Sequence, residues 1–206
     1  MRTLYIDTSS SYLYAGIVCD NELLEEVKEN LGQDLSRVAL PKIVDMFNKQ
    51  GLEPKDIDKI IVVNGPGSFT GIRVGLTIAK VYAWSLNIPI TTITSLEAMK
   101  DSCGYNGNIV SVIDARRDYS YASIYNGDEC ILKPQHIANS ELLKVLSTLD
   151  NYLIVTNDEI SLSGEKCSYN PNILAIVKKY VEKENVNPHM VNPEYLKLTE
   201  AEESRI

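Results

Sequence analysis

Asn64-Gly-Pro-Gly-Ser-Phe-Thr-Gly-Ile-Arg-Val-Gly75 follows the apolar run Lys59-Ile-Ile-Val-Val63 and leads into residues 72–86, which hold no proline and no glycine beyond Gly75. The β-branched run predicts a buried strand and the segment after the turn predicts a helix. A strand feeding a helix through Gly-Pro-Gly gathers backbone amides and a helix N-terminus at one point, a geometry that holds anions. Two phosphate motifs can be tested on it. A Walker A loop needs Gly-Lys-Ser/Thr, and Gly71 is followed by Ile72 and Arg73. A dinucleotide fingerprint needs a third glycine where Thr70 stands and an acid after the next strand, where residues 90–94 offer none. An anion site at Gly65 and Gly67 and a purely steric turn both remain. Gly71 and Gly75 are four apart on one helix face, which lets that helix approach a neighbour closely. Ser68 and Thr70 fit helix caps better than nucleophiles, since no histidine lies near them in sequence.

Working outward, residues 4–7 predict a strand ending at Asp7, and residues 13–19 predict its return after a Thr-Ser-Ser-Ser turn. Residues 23–31 alternate as a third strand, which a stable sheet favours. A helix over 36–48 closed by Gly51 follows, with Pro41 placed in its first turn or kinking it. After the central turn come a strand at 91–94 and a short helix opened by a Thr94/Glu97 capping box.

The second half restarts this order. Residues 109–113 form an apolar run ending at Asp114, which lies 107 positions after Asp7. At that spacing Tyr12, Tyr14, Ala15, Ile17 and Glu22 meet Tyr119, Tyr121, Ala122, Ile124 and Glu129 without a gap. A helix over 140–149, a strand at 152–156 and a helix over 172–184 complete the repeat. The expected fold is α/β: a duplicated, actin-like (ribonuclease H-like) pair of lobes, 1–103 and a smaller, degenerate 104–206, with mixed sheets flanked by helices. A cleft is expected between them.

In such a cleft Asp7 and Asp114 would flank bound phosphate. The second turn, Ala115-Arg116-Arg117-Asp118, has no glycine, and Arg117 reads as a solvated tip. Thr156-Asn157-Asp158-Glu159 puts two carboxylates where phosphate would lie, and like charges repel. The cleft reads as disabled. A small ATP-binding enzyme using Asp7, Gly65 and Gly67 stands as the alternative. His136 and His189 form no metal-ligand spacing, and no metal or catalytic residue is assigned.

A net charge of -8 argues against this chain gripping tRNA alone. No run is long enough to span a bilayer, the first residues resemble no signal peptide, and four scattered cysteines read as reduced thiols. Those features predict a cytoplasmic protein. Residues 72–86 and 38–47 are apolar on nearly every side, which predicts burial on two faces. Either another helix of the chain or a partner protein supplies the second cover, and the partner is the reading favoured. Val38, Met46, Gly71, Gly75, Ile78 and Tyr82 are the candidate contacts.

The central motif, with Ile6-Asp7-Thr8-Ser9, Thr94-Ser95-Leu96-Glu97-Ala98, Ile113-Asp114-Ala115-Arg116 and Pro193-Glu194-Tyr195-Leu196, resembles the TsaB (YeaZ) family over almost the whole chain. The resemblance implies a non-catalytic scaffold or activator subunit that pairs with TsaD, with the ATPase TsaE in the assembly. The complex would transfer threonylcarbamoyl to adenosine of tRNAs reading ANN codons. It implies a homodimer competing with the TsaD heterodimer for the N-lobe helices, tRNA met only through the complex, and ATP and magnesium belonging to the partners. Two departures from the family pattern stand out: Asp34-Leu35-Ser36 at the first helix entry, and Lys197 where arginine is usual.

Overall fold

The computed structural model describes residues 1–197. The first lobe runs β1 (Arg2–Asp7), β2 (Tyr12–Cys19), β3 (Glu22–Asn30), α1 (Leu35–Gln50), β4 (Lys59–Val63), α2 (Phe69–Leu86), β5 (Ile90–Ile93) and α3 (Ser95–Asp101). The second runs β6 (Asn108–Asp114), β7 (Tyr119–Asn126), β8 (Glu129–Ala138), α4 (Asn139–Leu146), β9 (Tyr152–Val155), β10 (Glu165–Cys167) and α5 (Ile173–Tyr180). The sheet orders are β3-β2-β1-β4-β5 and β10-β9-β6-β7-β8, one order read from opposite ends. In both, the first three strands are antiparallel and the later ones join in parallel. Each sheet is thus mixed, and the fold is the actin-like duplication. The spacing that carries Asp7 onto Asp114 also carries β2 onto β7, end to end.

Local chemistry explains the elements. β4 is parallel on both sides and buried on both faces, so its five residues are all buried and apolar stems dominate. Alternation splits β1: Leu4 and Ile6 face α1 and α2, while Tyr5 faces the side where α5 packs. α1 ends on Gly51 in the left-handed conformation, its N–H bonded to Asn48 and Phe47 carbonyls. Pro41 lies beyond the first turn of α1, because a short 3-10 turn at Gly32–Asp34 precedes the helix and Leu35 starts it. The Thr94/Glu97 capping box opens α3 in both directions.

The copies diverge in three places. Among the described residues no helix stands between β9 and β10, where the first lobe has α2. Asp7 pairs with Tyr14, whereas Asp114 pairs with Ser120, one residue short of the equivalent register. The shortened tip is made by Arg116, Arg117 and Asp118, all at positive φ, and it leaves Asp114 exposed. Finally, the two sheets divide between Ile93 and Asn108, while helix packing crosses that division. α5 returns to the first sheet, joining Tyr5, Tyr14 and Ile61 through Ile173 and Ile176. The following segment bridges β5 at Ile90–Val186 and reaches α2, where Lys80 Nζ donates to the Val191 carbonyl at 2.8 Å. The expected second lobe extends to 206, of which 198–206 lie outside the described residues.

Candidate functional site: a sealed cleft and an outer helix face

The Gly-rich turn is held by the neighbouring hairpin. The Ser68 N–H, which an anion cradle would aim at its ligand, donates to the Ser9 carbonyl at 2.7 Å. The Gly65 carbonyl accepts from Ser95 N–H at 2.9 Å. Ser68 caps α2 by accepting from Gly71 N–H, as expected, while Thr70 is exposed in the first turn. A side chain on Gly67 would collide with the Ser9 carbonyl oxygen, and one on Gly71 with the Thr8 carbonyl oxygen. Thr8 Oγ1 in turn donates to the Gly71 carbonyl at 2.7 Å. The glycines admit the Thr8-Ser9 backbone, and the Ser68 and Gly71 amides are engaged within the turn.

Asp7, at the end of β1, is 0% exposed. Its Oδ1 accepts from Ser9 N–H at 2.8 Å and from Ser9 Oγ at 2.7 Å, and its Oδ2 accepts from the Tyr169 hydroxyl at 2.9 Å. Burial raises its pKa, against the lowering effect of those donors. The Tyr169 and Tyr5 hydroxyls are in turn pushed well up, by burial first and by the Asp7 charge second. Tyr169 is itself fixed: its carbonyl accepts from Tyr14 Oη at 3.3 Å and from Asn157 Nδ2 at 3.2 Å. A phenol from the second half of the chain therefore occupies the position from which Asp7 would reach a ligand.

Outside this seal an open cleft of about 1550 Å³ separates the lobes, lined among others by Ser10, Ser11, Phe69, Arg116 and Asn157. Asp158 and Glu159 both line it, as expected. Asp158 Oδ2 also accepts the Asp114 N–H at 2.8 Å, closing the end of β6. Asp114 Oδ1 accepts from Arg116 N–H, which organises the tip, and Arg117 is exposed there. His136 stacks on Tyr119 at 4.6 Å and His189 meets the Trp84 ring, so the two histidines sit in separate places. Among the described residues no cluster of His, Cys, Asp and Glu could hold a metal ion.

The candidate contact residues do not form one surface. Met46 is 1% exposed and packs in the first core; Gly71 and Gly75 are buried against Thr8. These three are removed from any outer face, because the helix side that carries them is the side facing the sheet. Ile78 and Tyr82 are half-buried along the α1–α2 seam, with Tyr82 stacked on Phe47 at 6.1 Å. Burial pushes the Tyr82 hydroxyl up to about 12. Val38 is half-buried as well. Part of the second cover comes from the chain itself, through Val191, which is buried in the α2 core. What remains outward is Leu40 and Val44 on α1, and Val81 (57% exposed) and Trp84 (65% exposed) on α2. Both helices lie on the same face of the first sheet, so these side chains point away from it.

Tyr169 and Asn157 had no sequence signal: each sits in a polar loop without a motif. Periodicity names the apolar positions of a helix but not which of them a distant tail will cover.

Fold and site together define a two-lobed actin-like protein whose inter-lobe carboxylate is closed off by its own chain. Residues 27–186 match the family model described as TsaD, tRNA N6-adenosine threonylcarbamoyltransferase. The tRNA threonylcarbamoyladenosine biosynthesis protein TsaB of Bacillus subtilis is 32% identical over 98% of this chain and 96% of its own length. The protein of the same name from Escherichia coli is 30% identical over 63% of this chain and 57% of its own. Among solved structures, YeaZ from Pseudomonas aeruginosa superposes with a TM-score of 0.73 at 17% identity, over 95% of this chain and 99% of that one. The chain belongs to this family, on its TsaB (YeaZ) side.

Proposed function

We propose that this chain is a non-catalytic subunit in the synthesis of threonylcarbamoyladenosine on tRNA, holding and activating a TsaD-type transferase. The observation that carries the reading is Asp7, fully buried and bonded to Ser9 and Tyr169. A carboxylate with no exposure and three internal donors is not presented to a metal-bound nucleotide. Leu40, Val44, Val81 and Trp84 supply the docking face, where burial stabilises association at roughly 25 cal/mol per Å² of apolar area. A second copy of the chain uses the same face, so homodimer and heterodimer compete. The ATPase TsaE joins through the assembly, ATP and magnesium belong to the partners, and tRNA is met only through the complex. The net charge of -8 fits a subunit that does not carry the RNA itself.

Reconstitution tests this. With TsaD, TsaE, the supply of threonylcarbamoyl donor and tRNA present, omission of this chain is expected to abolish modification, and adding it back to restore it. Full modification in its absence would refute the proposal.

A further inference from the structure

Most charged side chains of α1 and α2 are answered within the chain. Arg37 pairs with Asp34, Lys42 with Glu29 and Lys49 with Glu25, and Lys80 donates to the Val191 carbonyl. Asp45 on α1 and Arg73 on α2 are exposed and have no ion pair among the described residues. Arg73 is nonetheless held. Its guanidinium lies 3.6 Å from the centroid of the Phe69 ring, and its Nε donates to the Tyr195 hydroxyl at 3.1 Å. Its outer N–H groups find no acceptor among the described residues, which leaves a fixed fork ready for a carboxylate.

The two charges stand on opposite flanks of the helix pair. Lys42 and Lys49 share a ridge with Asp45, three positions before it and four after, and both reach β3. Each of these lysines has its own glutamate, so the flank around Asp45 does not repel a guanidinium. Phe69 and Lys80 share the ridge of Arg73 and meet the returning segment at Tyr195 and Val191. Between the flanks lie the exposed Leu40, Val44 and Val81. The levels match as well. β3, β4 and β5 all run parallel to β1, so α1 and α2 run the same way, and the Phe47–Tyr82 stack shows them in step. Arg73 lies four positions after the start of α2 and Asp45 ten positions after the start of α1. Leu40 and Val44, five and nine positions after the start of α1, share the same midpoint. A two-fold axis through the seam at that level reverses the helices of a second copy. It brings each Arg73 to Asp45 of the partner subunit and sets each Leu40 level with Val44 of the partner subunit.

We propose that Arg73 and Asp45 form two reciprocal ion bridges between two copies of this chain, fixing the register in which α1 and α2 pair with themselves. The proposal rests on the docking face described above. Exposed ion pairs add little affinity of their own, so the apolar side chains drive association while the charges set register and partner choice.

The test is sedimentation velocity of the full chain over a dilution series. The wild type is expected to dimerise. Arg73→Asp and Asp45→Arg should each weaken the dimer by about tenfold or more, because either reversal sets like charges together at both contacts. Mixing the two variants restores opposite charges at both contacts. An equimolar mixture should therefore dimerise while each variant alone stays monomeric, and the double reversal should self-associate again. Such recovery also shows that the variants fold. Single reversals that leave the dimer intact, loss without recovery in the mixture and the double variant, or a monomeric wild type would each overturn the proposal. Val44→Glu separates the ion bridges from the face that carries them. A dimer lost in Val44→Glu but kept in both reversals removes the bridges alone, whereas a dimer unchanged by Val44→Glu removes the face with them.

Discussion

Replacing Tyr169 by phenylalanine removes one oxygen and leaves the ring in place. That oxygen donates to a carboxylate with no exposure, so the bond lost is one to a charged, desolvated acceptor. Such bonds contribute about 1.5–3 kcal/mol. The Tyr5 hydroxyl, 3.5 Å from that of Tyr169 and also acting on the Asp7 carboxyl, can take over part of the role. The expected loss is therefore about 2 kcal/mol at neutral pH, the middle of that range. pH supplies a second axis. Burial raises the Asp7 pKa above the ordinary aspartate value of 3.8, so between that value and the folded one the native state holds more proton than the unfolded chain. Stability should fall as pH rises through that window, by at most about 1.4 kcal/mol per pH unit for one proton. Above the folded pKa this contribution is flat. Asp7→Asn keeps an acceptor for Ser9 and offers an N–H to the Tyr169 oxygen, so it should remove this slope. Urea unfolding followed by circular dichroism from about pH 4 to about pH 8, on wild type, both single variants and the double variant, gives the cycle. The Tyr169→Phe cost should shrink at the acid end, and the double variant should cost less than the two singles added. A Tyr169→Phe cost within about 0.5 kcal/mol of zero together with an additive cycle would refute the seal.

Three other outcomes follow from the same contacts. Gly71→Ala improves helix propensity by about 1 kcal/mol, yet its methyl meets the Thr8 carbonyl oxygen, which is backbone and cannot rotate away. A net loss of roughly 1–2 kcal/mol in urea unfolding is expected, and a gain would show that the Thr8-Ser9 turn can retreat. Val81→Glu and Val44→Glu should leave stability within about 0.5 kcal/mol while weakening association with TsaD in analytical ultracentrifugation. Met46→Ala, in contrast, should cost about 2–5 kcal/mol of stability by opening a core cavity; unchanged association in both glutamate variants would remove α1 and α2 as the docking face. Calorimetry with ATP and magnesium on the isolated chain should register no binding. Tight binding lost in Asp7→Ala would restore the enzymatic alternative.

What the sequence discloses and what it hides separate along one physical line. The strand-turn-helix at residues 59–86 and the duplicated hairpin are legible because their causes are local. β-branched runs, a glycine turn, a Thr94/Glu97 capping box and matched tyrosines all act within a few positions. Three of the candidate contact residues, Met46, Gly71 and Gly75, turn inward for the opposite reason. Four residues apart, Gly71 and Gly75 present one face of α2 and let it approach a neighbour closely. The neighbour that uses the room is the Thr8-Ser9 turn of the same lobe, which only the tertiary fold brings there. Met46 is 1% exposed in the first core, and its side of α1 faces the sheet.

The cleft argues the same way. The glycine-free second turn and the Asp158 and Glu159 carboxylates do line the cleft, and Asp158 also accepts the Asp114 N–H. The acid in the first lobe is closed not by charge but by a phenol from more than a hundred residues downstream. Duplication explains why such a closure can arise. Two copies with one sheet order leave two hairpin tips facing a common space, and once one tip tightened by a residue at Arg116–Asp118, Asp114 moved to the surface. Among the described residues the second lobe has no helix between β9 and β10 to stand opposite α2, and a loop joins those strands instead. Asn157 and Tyr169, flanking that loop and β10, meet at the Tyr169 carbonyl and hold the phenol on Asp7. The buried acid is thus retained as a tie, through Tyr169, between the segment after β10 and the end of β1.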